Sequence, residues 1–155
     1  LGYKNWDLTL FGQGVQGNQI FNYVRYWTDF NVFQGNRSKD MLYNSWKKPG
    51  DDAKLPRLNS GDATSQQVSS YFLEDGSYLR LKNIQLAYNI PTSGIKWLRK
   101  AQVYVSGQNL LTLTKYSWYD PEVSTLGGST SISPGVDQFG YPVAKTITLG
   151  ARLGF

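Results

Sequence analysis

Lys145-Thr146-Ile147-Thr148-Leu149-Gly150-Ala151-Arg152-Leu153-Gly154-Phe155 alternates apolar with small or polar side chains along its whole length. Successive side chains of a β-strand point to opposite faces. The stretch is therefore a strand with one apolar face, Ile147, Leu149, Ala151, Leu153 and Phe155, and one small or polar face, Thr146, Thr148, Gly150, Arg152 and Gly154. About ten residues is the length at which a tilted strand crosses a bilayer. The edge strand of a soluble sandwich would show the same alternation.

Composition narrows the choice. Of the 155 residues 40% are hydrophobic and 15% aromatic, enough for a core, but only 17% are charged. Soluble domains carry about 25%. With eleven Tyr, five Trp and sixteen Gly, that deficit points to a β protein that meets lipid or sugar. No run approaches the roughly 20 apolar residues of a helical span, so insertion would have to be as a barrel. The chain opens at Leu1 rather than Met and, without a signal-peptide pattern, goes straight into a strand-like segment. A processed or excised piece of something longer is expected. There is no Cys and no His, which removes thiol chemistry, the usual acid-base residue and the commonest metal ligand. The formal charge of +5 is spread over single residues and pairs such as Lys47-Lys48 and Arg99-Lys100. These read as solvated positions, and no nucleic-acid partner is expected.

Four strand-like segments, at about 5–14, 77–90, 101–114 and 145–155, organise the chain. The first sets Trp6, Leu8 and Leu10 against Asp7, Thr9 and Gln13, with Phe11 breaking the polar row. In the second, Leu79 and Leu81 change phase to Ile84, Leu86, Tyr88 and Ile90, which predicts a bulge near Lys82-Asn83. In the third, Val103, Val105, Leu111 and Leu113 oppose Tyr104, Ser106, Gln108 and Thr112, and Leu110 departs from the pattern.

The connections are long, short and long. Residues 15–76 are expected to fold over themselves, with a short helix around Ser38 to Lys47 and a turn at Pro49-Gly50. Residues 91–100 form a turn with one helical turn at Ile95 to Lys100, placing Trp97 and Leu98 at a bilayer boundary beside Lys96, Arg99 and Lys100. Residues 115–143 read as a loop, with a Gly- and Ser-rich stretch at Gly127 to Ser133 and prolines at 121, 134 and 142. In outer-membrane barrels long loops are extracellular and short turns periplasmic, so 15–76 and 115–143 are expected outside and 91–100 on the periplasmic side. Four strands cannot close a barrel, whose smallest single-chain forms have about 8. Open edges in lipid would leave unpaired N–H and C=O groups, so the missing strands have to come from elsewhere.

The run Asp75-Gly76-Ser77-Tyr78-Leu79-Arg80-Leu81-Lys82-Asn83-Ile84-Gln85-Leu86-Ala87-Tyr88-Asn89-Ile90-Pro91 resembles a late strand of SusC/RagA-type TonB-dependent transporters. Val103-Tyr104-Val105-Ser106-Gly107-Gln108-Asn109-Leu110, Thr112, Lys115-Tyr116 and Tyr119-Asp120-Pro121-Glu122-Val123 resemble the strand and loop that follow, and Tyr141-Pro142 with 145–155 the end of that family's chains. Tyr3-Lys4-Asn5-Trp6-Asp7-Leu8 and Gln16-Gly17-Asn18 are similar to the strand and loop upstream; 23–70 carries no resemblance. The resemblance implies an all-β fold: four antiparallel transmembrane strands forming the C-terminal part of a plugged barrel of about 22 strands, with long extracellular loops. It implies an importer of oligosaccharides or peptides in the outer membrane of a Gram-negative bacterium. Its partners would be the rest of the barrel and plug, a SusD-like surface lipoprotein, membrane lipid, and the TonB complex through an N-terminal part absent here. The apolar row Ile147, Leu149, Ala151, Leu153 and Phe155 would be the assembly signal. No cofactor, metal or enzymatic activity is implied.

Asp120 and Glu122 are the most tempting acid pair, but two carboxylates around Pro121 are ordinary turn chemistry, and capping, cation binding or lipoprotein contact are the roles weighed for them. Tyr116, Trp118 and Tyr119 read as an aromatic girdle or as a platform for sugar or peptide. Tyr23, Tyr26, Trp27 and Phe30 carry the same alternatives, with docking of the lipoprotein as a third. Gly12-Gln13-Gly14 and Gly17 lack the Lys-Ser/Thr of a phosphate loop and read as a strand-to-loop bend. The rival readings are a soluble secreted β domain that binds carbohydrate through surface aromatics, and a small barrel completed by oligomerisation.

Overall fold

The computed structural model describes residues 1–155 except 31, 33, 34, 60, 96 and 124–134; Lys96, Pro134 and the Gly- and Ser-rich stretch 127–133 thus lie outside the described residues. Four long strands form where alternation is strongest: β2 (Trp6–Val15), β5 (Tyr78–Ile90), β6 (Lys100–Thr114) and β8 (Thr146–Gly154). They pair antiparallel in the order β2-β5-β6-β8, and a two-residue β1 (Gly2–Tyr3) adds to the free side of β2. A separate three-stranded sheet is formed by β3 (Gln19–Asn22), β4 (Leu73–Asp75) and β7 (Val136–Asp137). No described helix is long and apolar enough to cross a membrane.

The register shift lies between Leu81 and Asn83, where the change of phase put it. Lys82 is the extra residue, skipped in the pairing with both β2 and β6. On β6 the same shift passes over Asn109, whose φ of 53° is left-handed, and Leu110. That irregularity accounts for Leu110: its side chain lies where a Cβ on Gly107 would stand, covering the bare backbone of the neighbouring outward position. Phe11 pairs with Asn83 at the shift, in the polar row.

The chain divides into two compact units. One is the large sheet, 1–16, 77–115 and 142–155; the other is built from the two long connections, 17–76 and 116–141. The second unit has an aromatic core in which Phe30, Met41, Leu55 and Phe72 are buried and Phe21, Tyr26 and Tyr71 pack against them. Its elements are α1 (Val24–Thr28), α2 (Lys39–Tyr43), a single 3₁₀ turn (Ser70–Phe72) and the small sheet. Ser38 caps α2, accepting the Met41 N–H at 3.2 Å, but the helix stops at Tyr43, short of the expected Lys47. Beyond it the backbone bonds change partner: Asn44 O accepts the N–H groups of Lys54 and Leu55, and Trp46 N–H donates to Leu55 O. The Pro49-Gly50 turn forms, with Gly50 at φ 91° and the Asp51 carboxylate accepting the N–H groups of Lys47 and Lys48. The described residues of 91–99 form turns, with no helix assigned where a helical turn was expected: Ile95 N–H reaches Thr92 O, Leu98 N–H reaches Ile95 O, and β6 begins at Lys100.

Candidate functional site

Cross-strand partners share a face, so the register assigns every side chain of the large sheet to one side. One face carries Trp6, Leu8 and Leu10 of β2, Leu79, Leu81, Ile84, Leu86, Tyr88 and Ile90 of β5, Val103, Val105, Leu111 and Leu113 of β6, and Ile147, Leu149, Ala151 and Leu153 of β8. Many stay open: Leu10, Leu79, Leu113, Ile147, Leu149 and Leu153 are 54–79% exposed. A continuous apolar face of this kind demands an apolar neighbour.

The opposite face is polar and internally bonded. Arg152 donates to Gln102 Oε1 (3.2 Å), Gln102 Nε2 donates to Asn89 Oδ1 (2.9 Å), and Asn89 Nδ2 donates to Asp7 Oδ2 (2.7 Å). The relay crosses all four long strands from a guanidinium to a carboxylate, each amide oriented by the charge at its end of the chain. Beside it Arg152 also lies over the Tyr104 ring, 4.8 Å from its centroid, while that ring occupies the space a Cβ on Gly150 would need. Arg80, buried, donates from Nε to Thr112 Oγ1 at 2.9 Å.

In the second unit Glu74 ties the two long connections together. Its carboxylate accepts from Arg25 Nε (2.9 Å), Asn22 Nδ2 (2.9 Å), Ser117 N–H (2.9 Å) and Ser117 Oγ (2.8 Å). A second tie is Asp137, whose backbone O accepts the Tyr23 N–H at 3.0 Å; its carboxylate organises its own segment, accepting the Tyr116 OH at Oδ2 (2.6 Å) and the Gly140 N–H at Oδ1. Glu74→Ala leaves the buried Asn22 amide with only a long 3.4 Å bond to Ser117 Oγ and removes the ion pair of Arg25, and is expected to cost this unit about 2 kcal/mol, discounted for the partly exposed Arg25. Faster hydrogen exchange in 17–30 and 115–123 would register it; unchanged exchange there would refute the tie. Glu74→Gln should recover part of the loss.

Burial, then the bond to Asp137 and its charge, push the Tyr116 phenol well above its ordinary value near 10. The raised pKa makes this contribution complete below about pH 10 and lost as pH climbs through the higher folded value. Tyr116→Phe should therefore remove alkaline sensitivity from the 116–141 segment. Ultraviolet titration of the phenolates, wild type against variant, measures it, and an identical titration would contradict the assignment.

The residues singled out in the sequence separate on this scaffold. Tyr116 and Asp120 are buried, 5% and 7% exposed, so neither presents a free surface: Tyr116 belongs to the interior of the loop unit, not to a membrane girdle. Asp120 accepts the Glu122 N–H at 2.9 Å, the turn chemistry expected around Pro121. Trp118 and Tyr119 contact each other, ring centroids 4.7 Å apart; Tyr119 is 68% exposed, and the Trp118 indole N–H is buried with no acceptor among the described residues. Tyr26 stacks on Tyr23 (5.0 Å, 8°) and Trp27 meets both edge-on, because a helical repeat over 23–27 sets the three rings on one side. All three are partly buried. A cleft of 210 Å³ in the same unit mixes Arg25 and Lys54 with Asp40, Asn44, Leu55 and Tyr71. Sequence reasoning missed the Glu74 tie, whose partners lie up to 52 residues away, and the amide relay, for which Asn89 and Gln102 in the polar rows were the available signal.

No family model matches the chain. Two proteins of Formosa agariphila described as TonB-dependent receptors are 34% and 36% identical to it over its whole length, and it spans 16% and 15% of theirs. The TonB-dependent receptor SusC of Bacteroides thetaiotaomicron is 31% identical over 99% of this chain and 14% of its own. Among solved structures the RagAB peptide importer in its open-open state superimposes with a TM-score of 0.79 at 32% identity, over 99% of this chain and 16% of that one. The chain thus spans about one sixth of the length of its relatives.

Proposed function

Because the chain belongs to the SusC/RagA-type TonB-dependent receptors, we propose that it forms the C-terminal four-strand part of an outer-membrane importer's barrel wall. The observation that carries the proposal is the large sheet's division into an open apolar face and a hydrogen-bonded polar face. Lipid would meet the first and the lumen the second. Both edges, β8 and the part of β2 that β1 leaves open, require strands of the remaining barrel, since backbone groups in hydrocarbon must be paired. The complete barrel has about 22 strands and a plug.

The whole receptor moves oligosaccharides or peptides across the outer membrane of a Gram-negative bacterium, together with a SusD-like lipoprotein and with energy drawn through TonB. The loops 15–76 and 115–143 are extracellular and 91–100 periplasmic. Trp118, Tyr119 and Glu122, with the outer sides of Tyr26 and Trp27, touch cargo or the lipoprotein. Tyr116 and Asp120 support them from inside the unit. Cargo passes by gated binding, and no residue here is assigned a catalytic role. The row Ile147, Leu149, Ala151, Leu153 and Phe155 serves in assembly.

The intact mass of the detergent-solubilised species containing this sequence tests the proposal. A complex containing a chain about six times this one's 17.5 kDa, together with a lipoprotein, is the expected result. A free 17.5 kDa species soluble without detergent would overturn it in favour of a secreted carbohydrate-binding module.

A further inference from the structure

Three segments of the loop unit converge on the cleft of 210 Å³ lined by Arg25, Asp40, Asn44, Lys54, Leu55 and Tyr71. Most of its polar groups are aimed by a neighbour. Glu74 accepts from Arg25 Nε at 2.9 Å, and the guanidinium lies over the Tyr71 ring, 5.2 Å from its centroid. Tyr71 is fixed in turn, its OH donating to Oδ2 of the buried Asp29 at 2.7 Å. Asp40 on α2 and Asn44 at the end of that helix face each other, Asn44 Nδ2 donating to Asp40 Oδ1 at 2.8 Å. The Asn44 carbonyl accepts the Lys54 and Leu55 N–H groups, both at 3.0 Å, which holds Lys54 against the same helix end.

This arrangement leaves a particular set of groups open. With Nε taken by Glu74, the η nitrogens of Arg25 remain as a planar pair of donors. Among the described residues the exposed Lys54 ammonium has no ion-pair partner. Asp40 keeps Oδ2, and Asn44 keeps Oδ1, as acceptors. Donors for an anion therefore stand beside acceptors for neutral O–H or N–H groups. A carboxylate suits the guanidinium fork, whereas Asp40, itself anionic, repels a second carboxylate and calls for a neutral donor. A peptide terminus offers one amide N–H beside its carboxylate; an acidic sugar offers several hydroxyls on a rigid ring. The cleft has room for a single ring, and Leu55 and Tyr71 give apolar surface for its C–H groups.

We propose that this cleft binds one uronic acid unit of an oligosaccharide cargo, its carboxylate on Arg25 and Lys54 and its hydroxyls on Asp40 and Asn44. The proposal rests on the importer reading given above, and the test keeps the two apart. The complete receptor with its lipoprotein, purified in detergent, is titrated calorimetrically with trimers of galacturonate, mannuronate and glucuronate. The carboxyl-reduced trimers and triglutamate are the comparators.

At least one uronate trimer should bind, and its reduced form about tenfold more weakly. Lys54→Gln should weaken uronate binding about tenfold, and Lys54→Arg should restore it. Asp40→Ala should weaken it as well, although removing a negative charge would strengthen a purely electrostatic attraction. Failure of every uronate trimer to bind, or binding that neither Lys54→Gln nor Asp40→Ala changes, would overturn the site and leave the importer standing. Triglutamate bound as tightly as the uronates would overturn the sugar as its occupant. Lys54-dependent uronate binding by a free 17.5 kDa species soluble without detergent would overturn the importer and keep the cleft.

Discussion

On the barrel reading proposed above, Leu149→Arg is expected to strip the protein of its stably inserted form, while Thr148→Arg, one residue away, should be tolerated. Leu149 pairs with Val105, which pairs with Leu86, and all three point to the open apolar face, where Leu149 is 79% exposed. Thr148 pairs with Ser106 in the polar row beside Arg152. A guanidinium on the lipid face near the bilayer midplane costs about 2–4 kcal/mol, a shift on the order of a hundredfold in the insertion equilibrium. The same charge on the polar face, the proposed lumen side, keeps its hydration. The amount of heat-modifiable, folded receptor in the outer-membrane fraction, with denaturant midpoints in micelles, measures both variants. Equal losses, or a larger loss for Thr148→Arg, would mean that the apolar face is not the lipid face.

The second large effect is expected at Phe72. Its ring is 1% exposed and meets Phe21, Tyr26, Phe30 and Tyr71 at centroid distances of 5.4–6.4 Å. Phe72→Ala removes the ring that all four share, and a deletion of this size in a packed core costs about 3–5 kcal/mol. Because every one of those rings lies in 17–76, loss of protection should concentrate there and in 116–141, which Glu74, through Ser117, and Asp137, through the Tyr23 N–H, tie to it. Limited proteolysis with mapping of the cut sites reads this directly. Cuts appearing first in β5 or β6, or an unchanged pattern, would show that the aromatic cluster does not hold the loop unit together.

The long strands were legible because a strand with two different environments must alternate, and a two-residue period survives in sequence without knowledge of any partner. The bulge at Lys82 was legible for the same reason, as a break in that period. Leu110 looked like an error until the register showed it lying over Gly107. The loop unit was hidden because its order is non-local. β3 pairs in parallel with β7, more than a hundred residues further on, through bonds such as Phe21 N–H to Gly135 O, and no local pattern records such a match. Burial of Tyr116 likewise depends on Asp137, so an aromatic in a polar loop resembled a surface ring until its acceptor was located.

The sequence by itself determined the two-faced sheet, the order and approximate limits of its strands, and the kinship with TonB-dependent receptors, since alternation and local identity are properties of neighbouring residues. Only the tertiary structure decided which aromatics are inside, that the relay from Arg152 to Asp7 crosses four strands, and that Arg25 and Lys54 line one cleft. Those features depend on pairing residues far apart in the chain, and the energy that selects the pairs, burial of rings and satisfaction of buried polar groups, exists only once the chain has closed on itself.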